Sequence, residues 1–388
     1  MSVTLPHIAT LLMAIAQPQF LTLATQSQSP QQLLNQTESD TRSVATIRCI
    51  LDKEQVQSEI LMLPWARAKR ELAEGNVDGV FLTSVGEVEE GIGSFPMVLE
   101  KWYVYQRLAG KSGGQSHRLG VVRGSDVESW LLEHNRVPYL KARDMHQLLQ
   151  QFVAGRIDYF VADDLQVKTL LHSEPQNLSI RFLRYRAKNV TFSHQFHQKY
   201  PDFITRFNRR IGECNPQITQ LSPLERQQAI KYVEDQVIPA LDQGFREELS
   251  ARLGHQAPSP GEEIALREAT WREELKSGEY RLIAESLDNP LAERLKVIQA
   301  GLPAVGELMV TRDNGELLAV SRVTSDYWQG DEAKITDLGH KAIEVGDLEY
   351  DESTSSFVAH VSVPLQSPQG RAILVVGLSL ERILIGEL

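Results

Sequence analysis

No apolar run in the chain approaches the ~18 residues that a membrane span needs. Positive charge is in deficit. Lys+Arg 40 against Asp+Glu 51 leaves −11, so the summed field repels nucleic acid and anionic membrane. The sequence has no glycine-rich phosphate loop, no serine nucleophile elbow and no carboxylate pair of note, so nothing in it supports an enzyme or calls for a cofactor. Cysteine is scarce. Cys49 and Cys214 are the only two, and each falls on a predicted helix rather than in a loop with a histidine partner, which argues against a catalytic thiol. His194 and His197 could share a helix face but lack a third ligand, so no metal site is expected.

What is present suits a folded protein of several domains. The 388 residues are 42% hydrophobic and 23% charged, enough for two or three domains at roughly 100–200 residues each. Residues 1–16 carry no charge and end in Met13-Ala14-Ile15-Ala16, a small-x-small pattern expected of a signal peptide. The alternative reading, favoured by Pro6 and by the missing positive leader, is a floppy or core-packed N-terminus. Export would place the chain in the periplasm or outside the cell, where cysteines can oxidise.

A strand-helix-turn-strand pattern occurs twice. The first copy runs through Leu63-Pro64-Trp65 to Gly75-Asn76-Val77-Asp78-Gly79-Val80-Phe81, and the second ends Gly155-Arg156-Ile157-Asp158-Tyr159-Phe160-Val161. In both, the glycine suits the left-handed position past a helix, and the apolar run after the aspartate suits a buried strand. Two such units suggest two similar α/β lobes with a ligand cleft between them. Glu100 to Gln106 is long and aromatic enough to cross between lobes, and the basic strand Arg181 to Thr191 returns. Tyr200 to Cys214 reads as a helix, Leu221 to Leu253 as a charged helical connector rather than a core, and His255 to Gly261, with two prolines, as a linker.

The order of strand, LPWARAKRELAEGNVDGVF, crossing strand, RLGVVRGSD, GRIDYFVADD and closing helix YPDFITRFNRRI resembles the family 3 periplasmic solute-binding proteins, over about residues 18–216. The resemblance implies a bilobal type 2 periplasmic-binding fold that closes on a small polar solute. It also implies a ligand set of Trp65, Thr83, Ser84, Arg123, Gly124, Ser125, Asp126 and Asp163. In that set, Gly124-Ser125-Asp126 is the helix N-terminus that can hold a carboxylate, and Asp163 takes an ammonium group. Capping of the next helix is the alternative role for Asp163 or its neighbour Asp164. Where the family places a clamp arginine this chain has Glu87, Glu89 and Glu90, so tight binding of ordinary α-amino acids is not expected. Arg67 and Arg123 stand as substitutes or as plain surface residues. The resembled fold packs the helices of Cys49 and Cys214 on the same lobe, which implies a disulfide, with two buried thiols as the alternative.

The last third changes character: a helical region from Ala265 to Gln299, interrupted at Pro290, then short strands with turn signals at Asn314-Gly315, Gly346-Asp347 and Ser367 to Gly370. Over about 265–385 this order is similar to the Cache (PAS-like) extracytoplasmic sensor domains. The resemblance implies an α+β fold and a pocket loop with Asp326, Tyr327, Trp328 and Asp331. Aromatic walls beside two carboxylates favour a cation or amine; in the other reading, Trp328 plugs the sheet and Asp331 with Glu332 caps a helix. The expected organisation is a signal peptide at 1–16, a solute-binding-like domain at 17–216 (lobe one about 17–105 and 188–216, lobe two about 106–187), a connector and linker at 217–264, and a Cache-like domain at 265–388. The expected function is a periplasmic protein that binds a small polar solute and serves a membrane receptor or transporter. The alternatives are an uptake receptor proper and an interaction protein with a vestigial cleft.

Overall fold

The computed structural model describes residues 17–26, 38–84, 88, 91–108, 118–170, 178–255, 258–351 and 356–384. The expected signal segment at 1–16 and Glu87, Glu89 and Glu90 lie outside the described residues.

In lobe one, β1 (Phe20–Gln26) lies between β2 (Gln57–Leu63) and β3 (Gly79–Ser84), all parallel. Lobe two repeats the arrangement with β6 (Leu119–Val122) between β7 (Leu140–Ala142) and β8 (Tyr159–Asp163). The ten-residue β5 (Val98–Arg107) and sixteen-residue β9 (Leu178–Ser193) run antiparallel and carry the chain across, so one mixed sheet serves both lobes. The short β4 (Gly91–Gly93) adds to β9.

The repeated Gly-x-x-Asp has the same job in each lobe. Gly75 (φ 74) and Gly155 (φ 70) follow α2 (Trp65–Ala73) and α4 (Met145–Val153) in the left-handed conformation, which costs glycine nothing sterically. Asp78 then accepts the Thr22 N–H at 2.8 Å, where β1 begins, and Asp158 accepts the Arg118 N–H at 2.9 Å, just before β6. Each aspartate thereby sets the register of the neighbouring parallel strand. In lobe one, α1 (Glu38–Lys53) and α7 (Phe203–Cys214) bury Ile47, Ile50, Phe203, Phe207 and Ile211 against Phe192. Cys49 and Cys214 form a disulfide between these two helices, with Cα atoms 5.8 Å apart across a sequence separation of 165. The remaining helices of this half are α3 (Asp126–Glu133), α5 (Asp164–Leu170) and α6 (His194–Lys199).

The C-terminal module is a five-stranded antiparallel sheet of β10 (Val305–Arg312), β11 (Leu317–Val320), β12 (Glu344–Asp351), β13 (Ser356–Ser367) and β14 (Gly370–Leu378), ordered β11-β10-β14-β13-β12.

The segment read as a charged spacer differs most from expectation. It folds as α8 (Pro223–Tyr232), a π turn (Val233–Val237), α9 (Ile238–Ala240) and α10 (Gln243–His255). Ala229, Val233, Val237, Leu241, Phe245, Leu249 and Leu253 are all buried, one in every four residues. On an α-helix of 3.6 residues per turn, each four-residue step overshoots by about 40°, so the stripe would wind off one face. The π turn and the break after Ala240 reset the phase. One continuous core therefore joins Tyr103, Tyr105, Phe160 and Phe182 of the first module, this stripe, and Leu308, Val361 and Leu374 of the second sheet. The sheet's other face is covered by α11 (Gly261–Ser277), through Trp271, and by α12 (Leu282–Leu287). Helix α13 (Pro290–Gly301) adds Leu291 and Leu295 to the stripe side; Pro290 opens it behind an Asn289 cap rather than merely interrupting a helix.

Glu225 fixes the junction. It is 0% exposed, in the first turn of α8, in a capping box with Ser222. Its carboxylate accepts from Lys101 Nζ at 2.7 Å, Tyr185 OH at 2.6 Å and the Ser222 N–H at 2.6 Å. Burial pushes its pKa up, but these partners, Lys101 first, hold it below the ordinary carboxylate value. Lys101 is on β5 and Tyr185 on β9, so one carboxylate ties both crossing strands to the connector. Glu225→Ala should cost about 3–5 kcal/mol, since it strands a lysine and a tyrosine, as read by urea unfolding of the full chain; a loss under about 1 kcal/mol would mean the junction is solvated. Replacing both cysteines by serine should cost about 2–5 kcal/mol in the same assay.

Candidate functional site

The crossing strands form a two-sided ribbon. Pairing sets Glu100 opposite Arg186, Trp102 opposite Arg184 and Val98 opposite Lys188 on one side, while Lys101 and Tyr185 turn the other way, to Glu225. On the first side Lys188, 6% exposed, reaches both lobes: Nζ donates to Ser84 Oγ of lobe one at 3.2 Å and to Asp126 Oδ2 at the start of α3 in lobe two. Asp163, at the end of β8, registers against Trp102. Its Oδ1 accepts the Lys101 N–H at 2.9 Å and its Oδ2 the Gln166 N–H at 3.4 Å, so it caps α5. Asp164 instead accepts from Tyr105 OH at 3.2 Å and Lys168 Nζ at 2.6 Å.

These carboxylates are held against their preference. Burial, with Glu100 adding to it, pushes Asp163 up to about 7. Burial also raises Glu100, where Lys188 pulls the other way and Asp126 adds to the rise. Trp102 Nε1 donates to Glu100 at 2.9 Å. The Arg186 guanidinium lies 5.9 Å over the Trp102 ring, and its Nε, buried, has no hydrogen-bond partner. A group bringing positive charge between Glu100 and Asp163 would relieve both.

Of the residues named from the sequence, Ser84, Asp126 and Asp163 meet at this face. The others are engaged locally. Thr83 Oγ1 sits 2.5 Å from Asn189 Oδ1, and Trp65 opens α2 with Lys69 Nζ 5.7 Å over its ring. Arg123 is exposed, the Gly124 N–H donates to Glu128 Oε2 at 2.5 Å, and Ser125 caps α3 by accepting from the Glu128 N–H at 3.2 Å. Arg67 is on the surface, paired with Glu71 at 3.2 Å. Glu100, Arg186 and Lys188 were not among the expected site residues, although the i, i+2 spacing of Arg184, Arg186 and Lys188 on one strand was a usable signal.

In the second module Tyr327 is 2% exposed and donates its hydroxyl to Glu316 at 2.9 Å. The Tyr327 and Trp328 N–H groups donate to Glu268, and Trp328 Nε1 donates to the Asn314 carbonyl at 2.7 Å. Asp326 pairs with Arg272 at 3.2 Å, and Asp331 is exposed. Thr324, Ser325, Gln329, Glu332 and Lys334 of the same segment line a cavity. Among the described residues no cluster of His, Cys, Asp and Glu could hold a metal ion, and no helix is long and apolar enough to cross a membrane.

No protein-family model and no curated protein matches the chain. Solved structures do. The arginine-bound form of ArgBP from T. maritima is 12% identical over 50% of this chain and 96% of its own, with a TM-score of 0.35. The L-cystine solute receptor of Neisseria gonorrhoeae, unliganded and open, is 16% identical over 53% and 94%, at 0.37. The GluR0 ligand-binding core from Nostoc punctiforme, in complex with L-glutamate, is 14% identical over 50% and 93%, at 0.37. The strand order, with a parallel trio in each lobe and two strands crossing between them, is what shows the two lobes.

Asp163 predicts a pH effect. Its folded pKa lies above the ordinary aspartate value near 4, so its contribution to stability is complete below about pH 4 and lost as pH rises through about 7. Wild type should lose about 2–4 kcal/mol more than Asp163→Asn between pH 4 and 7.5 in urea unfolding. Parallel curves would show that Asp163 ionises freely.

Proposed function

We propose that the first module binds a small polar solute carrying a cationic group at the face between its lobes, in an exported protein that serves a membrane receptor or transporter. The observation that carries this is Lys188, a buried cation joined to Ser84 of one lobe and Asp126 of the other beside two carboxylates with raised pKa values. A ligand ammonium group near Glu100 and Asp163 would replace the missing counter-charge, and Arg186, with an unused buried Nε, is placed to receive an anionic end. This reading does not use the helix terminus at Gly124-Ser125, whose donors Glu128 and Val122 already occupy. Export is supported by the Cys49–Cys214 disulfide, since such bonds persist in oxidising compartments. The C-terminal module is read as a Cache-like sensor unit that feels the first module through Glu225.

The same lysine favours one competing reading, an interaction protein whose cleft is closed by its own ion pair. The two differ in an experiment. Calorimetry of the full chain with arginine, lysine and putrescine should find a ligand whose binding releases a proton from Asp163, so that affinity rises about tenfold from pH 6 to pH 8. Asp163→Asn should abolish that rise. No binding by any of the three, or binding independent of pH, would turn the assignment toward the closed-cleft reading.

A further inference from the structure

The second module carries an open cavity of about 800 Å³ on the face of its sheet away from the connector stripe. The residues that line it are none of those at the interlobe face. Glu307 of β10, Glu349 of β12, His360 of β13, Lys334 of α14 (Ala333–Thr336) and Arg322 converge there. His360, 7% exposed, has Nε2 2.7 Å from Glu307 and Nδ1 3.4 Å from Glu349, and Lys334 Nζ is 2.7 Å from Glu332. Burial opposes charge on His360, yet the two carboxylates push its pKa up to about 9, so the ring is an imidazolium with both nitrogens protonated at neutral pH. With Arg382, Asp351 and Glu381 also in the wall, four cations face five carboxylates.

Two polar atoms in this wall lack a well-directed hydrogen bond. Gln329 is 1% exposed and donates Nε2 to the Asp326 carbonyl at 2.8 Å, yet its Oε1 has no partner. His360 Nδ1 makes no well-directed hydrogen bond and meets Glu349 only as an ion pair at 3.4 Å. The buried orphan acceptor at Gln329 costs free energy until a donor arrives. A matched occupant therefore offers a donor there, and charges of both signs. At about 800 Å³ the cavity lies in the upper part of the range typical of drug-sized ligands, which is roughly 300–1,000 Å³. Met309, Val323, Val358 and Tyr350 add apolar wall between the charged groups.

We propose that this cavity binds a short peptide with free termini, its carboxylate received by Arg322 and Lys334, its N–H groups by Gln329 Oε1, and its ammonium end by the Glu307 and Glu349 carboxylates that His360 holds in place. Backbone amides supply paired donors and acceptors, the two termini supply both charges, and side chains meet the apolar wall. The site reaches the first module without containing any of its site residues. The Tyr350 ring lies 5.5 Å from Phe95 of lobe one, and Glu381, also in the wall, is 4.0 Å from Arg184 of β9.

The test is affinity selection from a tripeptide library with free termini on the full chain, read by mass spectrometry, followed by calorimetry on an enriched tripeptide. The expected result is enrichment, affinity at least tenfold weaker for the acetylated and amidated form, and a loss of at least tenfold in His360→Gln and in the exposed, fold-neutral Arg322→Ala. Asp163→Asn should leave peptide affinity unchanged, which separates this site from the interlobe face. No enrichment, equal affinity for free amino acids, insensitivity to Arg322→Ala in a protein with an unchanged unfolding midpoint, or loss in Asp163→Asn would each overturn the proposal.

Discussion

A single buried carboxylate decides how much freedom the two lobes have. Glu225 is taken entirely out of water, at a desolvation cost of several kcal/mol, and is kept ionised by an ammonium group and two hydrogen-bond donors. Its partners lie on the two strands that join the lobes. A bilobal protein closes by changing the twist of such crossing strands, and here their back is not solvent but helix α8 and the stripe behind it. Any change in twist must either carry the connector along or separate an ion pair inside a low-dielectric core.

The ribbon thus divides chemistry from mechanics. One side collects Glu100, Trp102, Arg186 and Lys188, charges that are only partly matched and that the proposed solute would meet. The other collects Lys101, Tyr103 and Tyr185, whose polar atoms are committed to Glu225 or whose rings pack on one another, Tyr103 against Phe182 at 5.5 Å and Phe182 against Tyr185 at 4.8 Å. Alternation along a strand lets one stretch of chain serve both needs, because neighbouring residues face opposite ways. A binding event on one side and a tertiary junction on the other are then less than one strand's thickness apart.

Much of the fold could be read from local signals. Gly75 to Asp78 and Gly155 to Asp158 announced two equivalent αβ turns because the glycine answers a backbone requirement that a few residues impose on themselves. Cys49 and Cys214 could be paired once their helices were assigned to one lobe. The connector departs from its reading for a physical reason: a buried residue at every fourth position, separated by mostly polar ones, lowers the average hydropathy without lowering burial, and its period matches an α-helix only if a π turn intervenes. The site was half legible. Ser84, Asp126 and Asp163 sit at strand and helix ends, where sequence order marks them, whereas Lys188 and Glu100 lie mid-strand and owe their role to pairing with residues some ninety positions away. The cavity of the second module was invisible because Glu307, Glu349 and His360 come from three different strands, each looking alone like an ordinary polar position.

The disulfide has a topological consequence. Cys49 and Cys214 belong to lobe one, yet the chain between them includes every strand of lobe two and both crossing strands. Lobe two is therefore an excursion within a covalent ring. A protease that nicks it once yields two chains that remain one molecule until a reductant is added, held to each other through the half of the protein that was not cut.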